Sequence, residues 1–166
     1  MANILKPGLG ELLRHLSELF DSGSEEHYKK ANIPIKSRYT PVLRALAEVD
    51  AQTVKEITAQ LQITQGAVSQ TIRLMEKDGF IEREQGKKDA RETFIKLTNK
   101  GKALTKTLKP QWQARFDAIE DLEKELAIPI RSQLQVIATA LEKKDFSERI
   151  EDACKKSKTK KRPHNE

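Results

Sequence analysis

Between Thr53 and Leu97 the apolar residues change period, and this limits the folds open to the chain more than any other feature. Thr53 precedes VKEITAQL, with Glu56 three residues on, the spacing at which the two side chains cap a helix start reciprocally. After the tight Gln62-Ile63 connection, Thr64 caps a second helical segment, QGAVSQTIRLMEKD, which stops at Gly79. Its inward positions are Val68, Ile72 and Met75, with Leu74 alongside. Beyond Gly79 the spacing becomes alternation: FIERE, a polar turn QGKKDARE, then TFIKL, a β-hairpin with a basic tip. Two short helices joined tightly and followed by a hairpin predict a winged helix-turn-helix.

The flanks read as helices. Leu9, Leu12, Leu13, Leu16, Leu19 and Phe20 open a helix running to about Ala31, weakened at Ser22-Gly23-Ser24 by roughly 1 kcal/mol for the glycine. Asn32-Ile33-Pro34 ends it, because a residue before proline is pushed out of the helical region. Thr40 as cap and Pro41 in the first turn start a short helix through Val42, Leu43, Leu46 and Ala47. After the hairpin, Thr98 opens a helix with Leu104 and Leu108 on one face. Pro110 interrupts it, and Trp112, Phe116, Ile119, Leu122 and Leu126 carry the stripe onward. Pro129 breaks it before a last amphipathic helix of Ile130, Leu134, Ile137 and Leu141, and from about Ser147 a disordered charged tail is expected.

The expected fold is therefore mainly α with a small β-hairpin wing. An N-terminal dimerisation helix covers 1–36, the winged helix-turn-helix 37–100, C-terminal dimerisation helices 101–146 and a basic tail 147–166. The apolar stripes at both ends exceed what the middle segment can cover, which predicts a homodimer over a monomer that folds them inward.

Composition narrows the function. Charged residues are 34% of the 166 and the net charge is +6, a moderate excess that suits a polyanion only if the cations are well placed. One cysteine, Cys154, rules out an intrachain disulfide. The N-terminal residues hold no long apolar run, so no membrane partner and a cytoplasmic, nucleoid-associated protein are expected. His15, His27 and His164 are scattered without metal-ligand spacing, and no nucleophile motif or glycine-rich phosphate loop stands out. No metal, no cofactor and no enzyme activity are expected.

The second helix of the pair carries the chemistry. Thr64, Gln65, Gly66, Ser69, Gln70 and Arg73 fall on its outward face or cap. Glutamine pairs bidentately with adenine, serine bonds base edges or phosphate, arginine holds guanine or phosphate, and glycine permits close backbone approach. At the hairpin tip Lys87, Lys88 and Arg91 suit phosphates or the minor groove, with Asp89 two residues from Arg91 and able to pair with it. Taken singly these are ordinary solvated residues; the capped helix pair beside a basic hairpin makes duplex DNA the expected partner.

Residues 38 to about 104 resemble the MarR (multiple antibiotic resistance regulator) family of winged-helix transcription factors. The resemblance is carried by LRALAE, by TVKEITAQLQITQGAVSQTIRLMEKDGFIERE, by the Asp89-Ala90-Arg91 triplet and by LTNKG at 97–101. It implies a homodimer on a pseudo-palindromic site, acting as a repressor or activator, often released by a small amphipathic effector or by cysteine oxidation. A pocket implied between the dimer helices and the winged helix would draw on His15, Tyr39 and Trp112. The wing departs from the family in leaning on lysines. Cys154, placed in the tail, reads as an incidental thiol. Two rival readings stay open: an architectural DNA binder using its basic tail, and a module whose winged helix binds another protein.

Overall fold

The computed structural model describes residues 6–86 and 91–160, with side chains as far as residue 157. In chain order the elements are α1 (Leu9–Lys30), a 3-10 turn (Ser37–Tyr39), α2 (Thr40–Glu48), β1 (Ala51–Thr53), α3 (Val54–Leu61) and α4 (Gln65–Lys77). Then follow β2 (Ile81–Gln85), β3 (Thr93–Leu97), α5 (Asn99–Leu126), α6 (Ile130–Lys143) and α7 (Phe146–Lys160). Two compact units result, residues 1–115 and 116–166, the division falling within α5.

In the first unit the winged helix forms as its caps dictate. The Glu56 N–H donates to the Thr53 hydroxyl at 3.3 Å and the Thr53 N–H to the Glu56 carboxylate at 2.7 Å, so the capping box at the start of α3 is complete. Gln62 takes the left-handed conformation, φ 54°, that turns the chain into α4 within a few residues. The sheet is antiparallel in the order β1-β3-β2, with Ile81 opposite Leu97 and Gln85 opposite Thr93. The short β1 was not expected from the sequence: it pairs Gln52 with Ile95, and the buried Gln52 amide donates to the Ala45 carbonyl at 2.9 Å. Three residues are too few for alternation to show.

The core of this unit joins every element of the winged helix. Leu43, Leu46, Ile57, Val68, Ile72, Met75, Ile95 and Leu108 are buried, together with Tyr28 from the end of α1 and Trp112 from α5. α1 runs unbroken through Gly23, and the hydroxyls of Ser22 and Ser24 bond back to the Leu19 and Phe20 carbonyls at 3.2 and 2.6 Å. It ends one step before the proline effect is needed. Asn32 sits at φ 54°, with its N–H on Lys29 O and that of Ile33 on Tyr28 O. This is the left-handed cap in which two backbone donors satisfy the last carbonyls. Thr40 does not cap α2. Helical geometry already begins at the 3-10 turn, and the Thr40 hydroxyl is buried against the Tyr28 hydroxyl at 3.2 Å.

Pro110 lies inside α5, which continues through it to Leu126. In the second unit Ala127, at φ 53°, terminates α5, and Arg131 at the start of α6 donates from its backbone to Glu123 at 2.8 Å and from its guanidinium to Glu120 at 3.2 Å. The expected disordered tail is corrected for residues 146–160, which form α7. Asp145 supplies the reason: its carboxylate accepts from the Glu148 N–H at 2.9 Å as a helix cap. Arg149 then donates to the carbonyls of Lys144 (3.0 Å) and Ala140 (2.6 Å), and Lys144 pairs with Asp152. Residues 161–166 lie outside the described residues.

Candidate nucleic-acid interface

The apolar face of α4 fixes the direction of its polar one. Val68, Ile72 and Met75 are fully buried, as the periodicity predicts, and Gln65, Gly66, Gln70 and Arg73 are exposed, with Ser69 half-buried between them. The Thr64 hydroxyl accepts from the Ala67 N–H at 3.3 Å and caps the helix N-terminus, where free amides and the helix dipole favour an anion. At the other end Gly79, φ 76°, donates to Glu76 O at 3.0 Å and Phe80 N–H to Met75 O at 2.9 Å, so both termini are closed by specific bonds.

Gly66 has no neighbour that needs it to be glycine: a Cβ built there meets nothing within 4 Å. Glycine in a helix costs roughly 0.5–1 kcal/mol relative to alanine. Gly66→Ala should therefore raise the free protein's stability by about 0.5 kcal/mol, read by urea unfolding. If that methyl lies where a duplex backbone approaches, the same variant loses DNA affinity; a gain in both would remove the close-approach role.

Two contacts that the sequence does not reveal set the angle of α4. Glu76 receives the Arg83 Nε from β2 at 3.0 and 3.1 Å, which locks the wing strand to the helix. Asp78, the residue after α4, collects three partners. The buried Tyr39 donates its hydroxyl to Asp78 Oδ2 at 2.7 Å, Lys36 lies 3.6 Å from the same oxygen, and Lys100 donates to the Asp78 carbonyl at 2.7 Å. Glu76 and Arg83 are seven residues apart and Tyr39 and Asp78 thirty-nine, so no local spacing could have signalled either contact.

The Tyr39 hydrogen bond, with the Lys36 charge behind it, holds the Asp78 carboxyl below its usual range, while burial pushes the Tyr39 phenol up. A depressed folded-state value means the stabilisation is full above the unfolded carboxylate's value and is lost as pH falls through the folded one. Tyr39→Phe should therefore cost stability near neutral pH, and the gap to the parent should narrow at pH values below the ordinary 3.8 of an aspartate, as urea unfolding at several pH values would read. A gap independent of pH would show that the hydroxyl acts by packing alone.

In the wing, β2 and β3 are closed by the Gly86 N–H on the Glu92 carbonyl at 2.9 Å, and Arg91 is exposed. Lys87, Lys88 and Asp89 lie outside the described residues, as does the expected Asp89–Arg91 pair. On the strands, Lys96 is held by Glu84 at 2.7 Å and Glu82 at 3.3 Å, so its charge is already matched.

The three residues considered for an effector pocket have different surroundings. Tyr39 borders a cleft of about 550 Å3 walled by Lys29, Ile33, Pro34, Ile35, Lys36 and Asp78, and neither His15 nor Trp112 lines it. His15 is exposed on α1. Trp112 is buried, with its indole N–H lacking an acceptor among the described residues.

Residues 34–92 match the profile of the MarR family. Over these residues the winged helix is similar to the MarR family. Curated relatives agree in that region: the chain is 32% identical over 90 residues to the uncharacterised HTH-type transcriptional regulator YwoH of Bacillus subtilis, covering 51% of this chain and 65% of that protein. It is 30% identical over 96 residues to the HTH-type transcriptional regulator MgrA of Staphylococcus aureus, covering 58% of this chain and 61% of MgrA. The chain thus spans less than two thirds of these relatives. Among solved structures, the S. aureus MepR–DNA complex superposes with a TM-score of 0.65 at 21% identity, over 82% of this chain and 99% of MepR. At that identity the MepR likeness speaks for the MarR winged-helix fold alone.

Proposed function

We propose that the chain is a sequence-specific DNA-binding regulator of transcription, a repressor, that grips a pseudo-palindromic duplex as a homodimer. The observation that carries this is the polar face of exposed Gln65, Gln70 and Arg73, with Ser69 half-buried between them, on a helix capped at both ends and locked to a wing by Glu76 and Arg83. Such a row has the donors and acceptors of base edges, and a helix of this diameter fits the major groove. Arg91 with Lys87 and Lys88 would hold the neighbouring minor groove or its phosphates. YwoH and MgrA, which match the same segment, are named transcriptional regulators, and the MepR complex contains DNA; both facts support the reading.

The homodimer is supported by apolar side chains left in water. On α1 Leu9, Leu12, Leu16 and Leu19 are 45–66% exposed, and on α6 Leu134, Ile137 and Leu141 are 39–47% exposed. Contiguous apolar stripes of this kind mark association surfaces, and a second copy covers them with least new design. For release we propose a small amphipathic effector at the cleft beside Tyr39, with His15 and Trp112 contributing where the second copy closes over them.

Binding of a random-sequence duplex, followed by fluorescence anisotropy at roughly 50 and 200 mM salt, tests the class of partner. Phosphate contacts predict an affinity that falls steeply with salt. Absence of binding at the lower salt would move the winged helix to a protein partner.

A further inference from the structure

The pair formed by Glu76 of α4 and Arg83 of β2 stands where a lock between helix and wing has a second consequence. Around the helix axis Glu76 falls about 20° from both Gln65 and Ser69, so it continues their polar stripe towards the C-terminal end. Its position is about 16 Å further along the axis than that of Gln65. The major groove is about 12 Å wide. A helix that sets Gln65 against base edges therefore carries Glu76 out to the phosphates at the edge of the groove. An unpaired carboxylate there would repel the duplex.

Arg83 answers that charge with only one of its nitrogens. Its Nε donates to the two Glu76 carboxylate oxygens at 3.1 and 3.0 Å. A guanidinium has further N–H donors on its two Nη nitrogens, and among the described residues neither of these makes a hydrogen bond. The side chain is 40% exposed. Arg83 lies opposite Ile95 and two residues after Ile81, both buried, so it shares the helix-facing side of the sheet. Lys96 is on the other side, opposite Glu82, which holds it together with Glu84. Arg83 thus has α4 to one side and the hairpin loop to the other. With α4 in a major groove and the wing tip in the adjacent minor groove, one sugar–phosphate strand runs between them, through the angle that Arg83 occupies.

On the basis of the DNA binding proposed above, we infer that Arg83 is a phosphate-binding residue whose Nη groups hold the backbone strand between the two grooves. Glu76 is its positioning residue: by accepting from Nε it aims the rest of the guanidinium outward. The contact is charge-assisted and carries no base information. It adds a grip at the root of the wing to those proposed on α4 and at the tip.

Two substitutions in the full-length protein separate a phosphate contact from a plain lock. A lock is broken from either end, so Glu76→Gln and Arg83→Gln would lose DNA affinity together and leave the salt dependence unchanged. The phosphate contact predicts different signs. Each is titrated by fluorescence anisotropy against a random-sequence duplex between roughly 50 and 200 mM salt. Arg83→Gln should flatten the slope of log affinity against log salt by about 0.9 and weaken binding roughly eightfold near 0.1 M salt. Glu76→Gln keeps an acceptor for Nε and removes a negative charge beside the duplex, so its slope should hold and its affinity should stay equal or rise. Arg83→Lys, which keeps the cation, should restore most of the slope. An unchanged slope in Arg83→Gln, or equal losses in Glu76→Gln and Arg83→Gln, overturns the inference and leaves DNA binding by α4 standing. If Arg83→Gln does not fold, as urea unfolding would show, weaker binding by Glu76→Gln alone overturns it. A parent protein that binds no duplex at the lower salt removes the DNA reading and this contact with it.

Discussion

Gly101→Ala should lower the thermal midpoint by roughly 10 °C, the equivalent of about 3 kcal/mol or more in a domain of this size. A Cβ built at Gly101 lies 2.1 Å from the Phe80 carbonyl oxygen, 3.1 Å from its carbon and 3.2 Å from Leu97. The first of these is backbone, held in place by the Thr98 N–H at 3.1 Å, so no rotamer change relieves the clash. The Thr98 hydroxyl, which donates to Gly79 O at 2.7 Å and accepts from the Gly101 N–H at 3.1 Å, would move with it. The end of α4, the start of β2 and the start of α5 meet at this point, so, if α4 reads DNA as proposed, the damage should reach DNA binding as well. Gly66→Ala is the matched control: the same chemical change in open space, with the opposite sign for stability. Equal effects of the two substitutions would contradict the packing described at Gly101.

Replacing Gln65 and Gln70 together by alanine should weaken binding to the preferred duplex by roughly 100-fold or more, since each bidentate base contact is worth about 1–3 kcal/mol. Both side chains are exposed on α4, whereas Val68, Ile72 and Met75 are its buried residues, so the fold should be unaffected. Affinity for a random duplex should change little, because that binding rests on phosphates. Lys88→Ala should do the reverse, weakening both duplexes about equally and flattening the salt dependence. Competition titrations with the two duplexes read the difference. Equal losses on both duplexes for the glutamine pair would remove base reading from α4.

The parts of the fold written in local rules were legible in the sequence. Thr53 with Glu56, Thr64 and Gly79 mark helix ends by chemistry that acts within a few residues, and each is found at its cap. The alternation of FIERE and TFIKL gave both hairpin strands because five residues are enough to show a period of two. Features that depend on distant partners were not legible. Thr40 reads as a cap by its type and place before Pro41, but its hydroxyl goes to Tyr28, which only the folded chain brings near. β1 exists because β3 offers an edge to Ala51–Thr53. The lysines of 155–160 suggested a solvated tail, whereas the cap at Asp145 and the anchoring of Arg149 on α6 make the segment helical. Within the candidate interface, periodicity located the outward face of α4, while the ties that fix its angle, Glu76 to Arg83 and Asp78 to Tyr39, cross between elements and carry no spacing signal.

The most direct test of the central claim is selection of random duplex DNA by the purified protein at roughly 150 mM salt, with the recovered sequences read out. A dimer that reads bases through α4 predicts an enriched pseudo-palindrome with half-sites about one helical turn apart. Recovery of duplexes without any enriched sequence would contradict specific recognition and leave an architectural DNA binder built on the same winged helix.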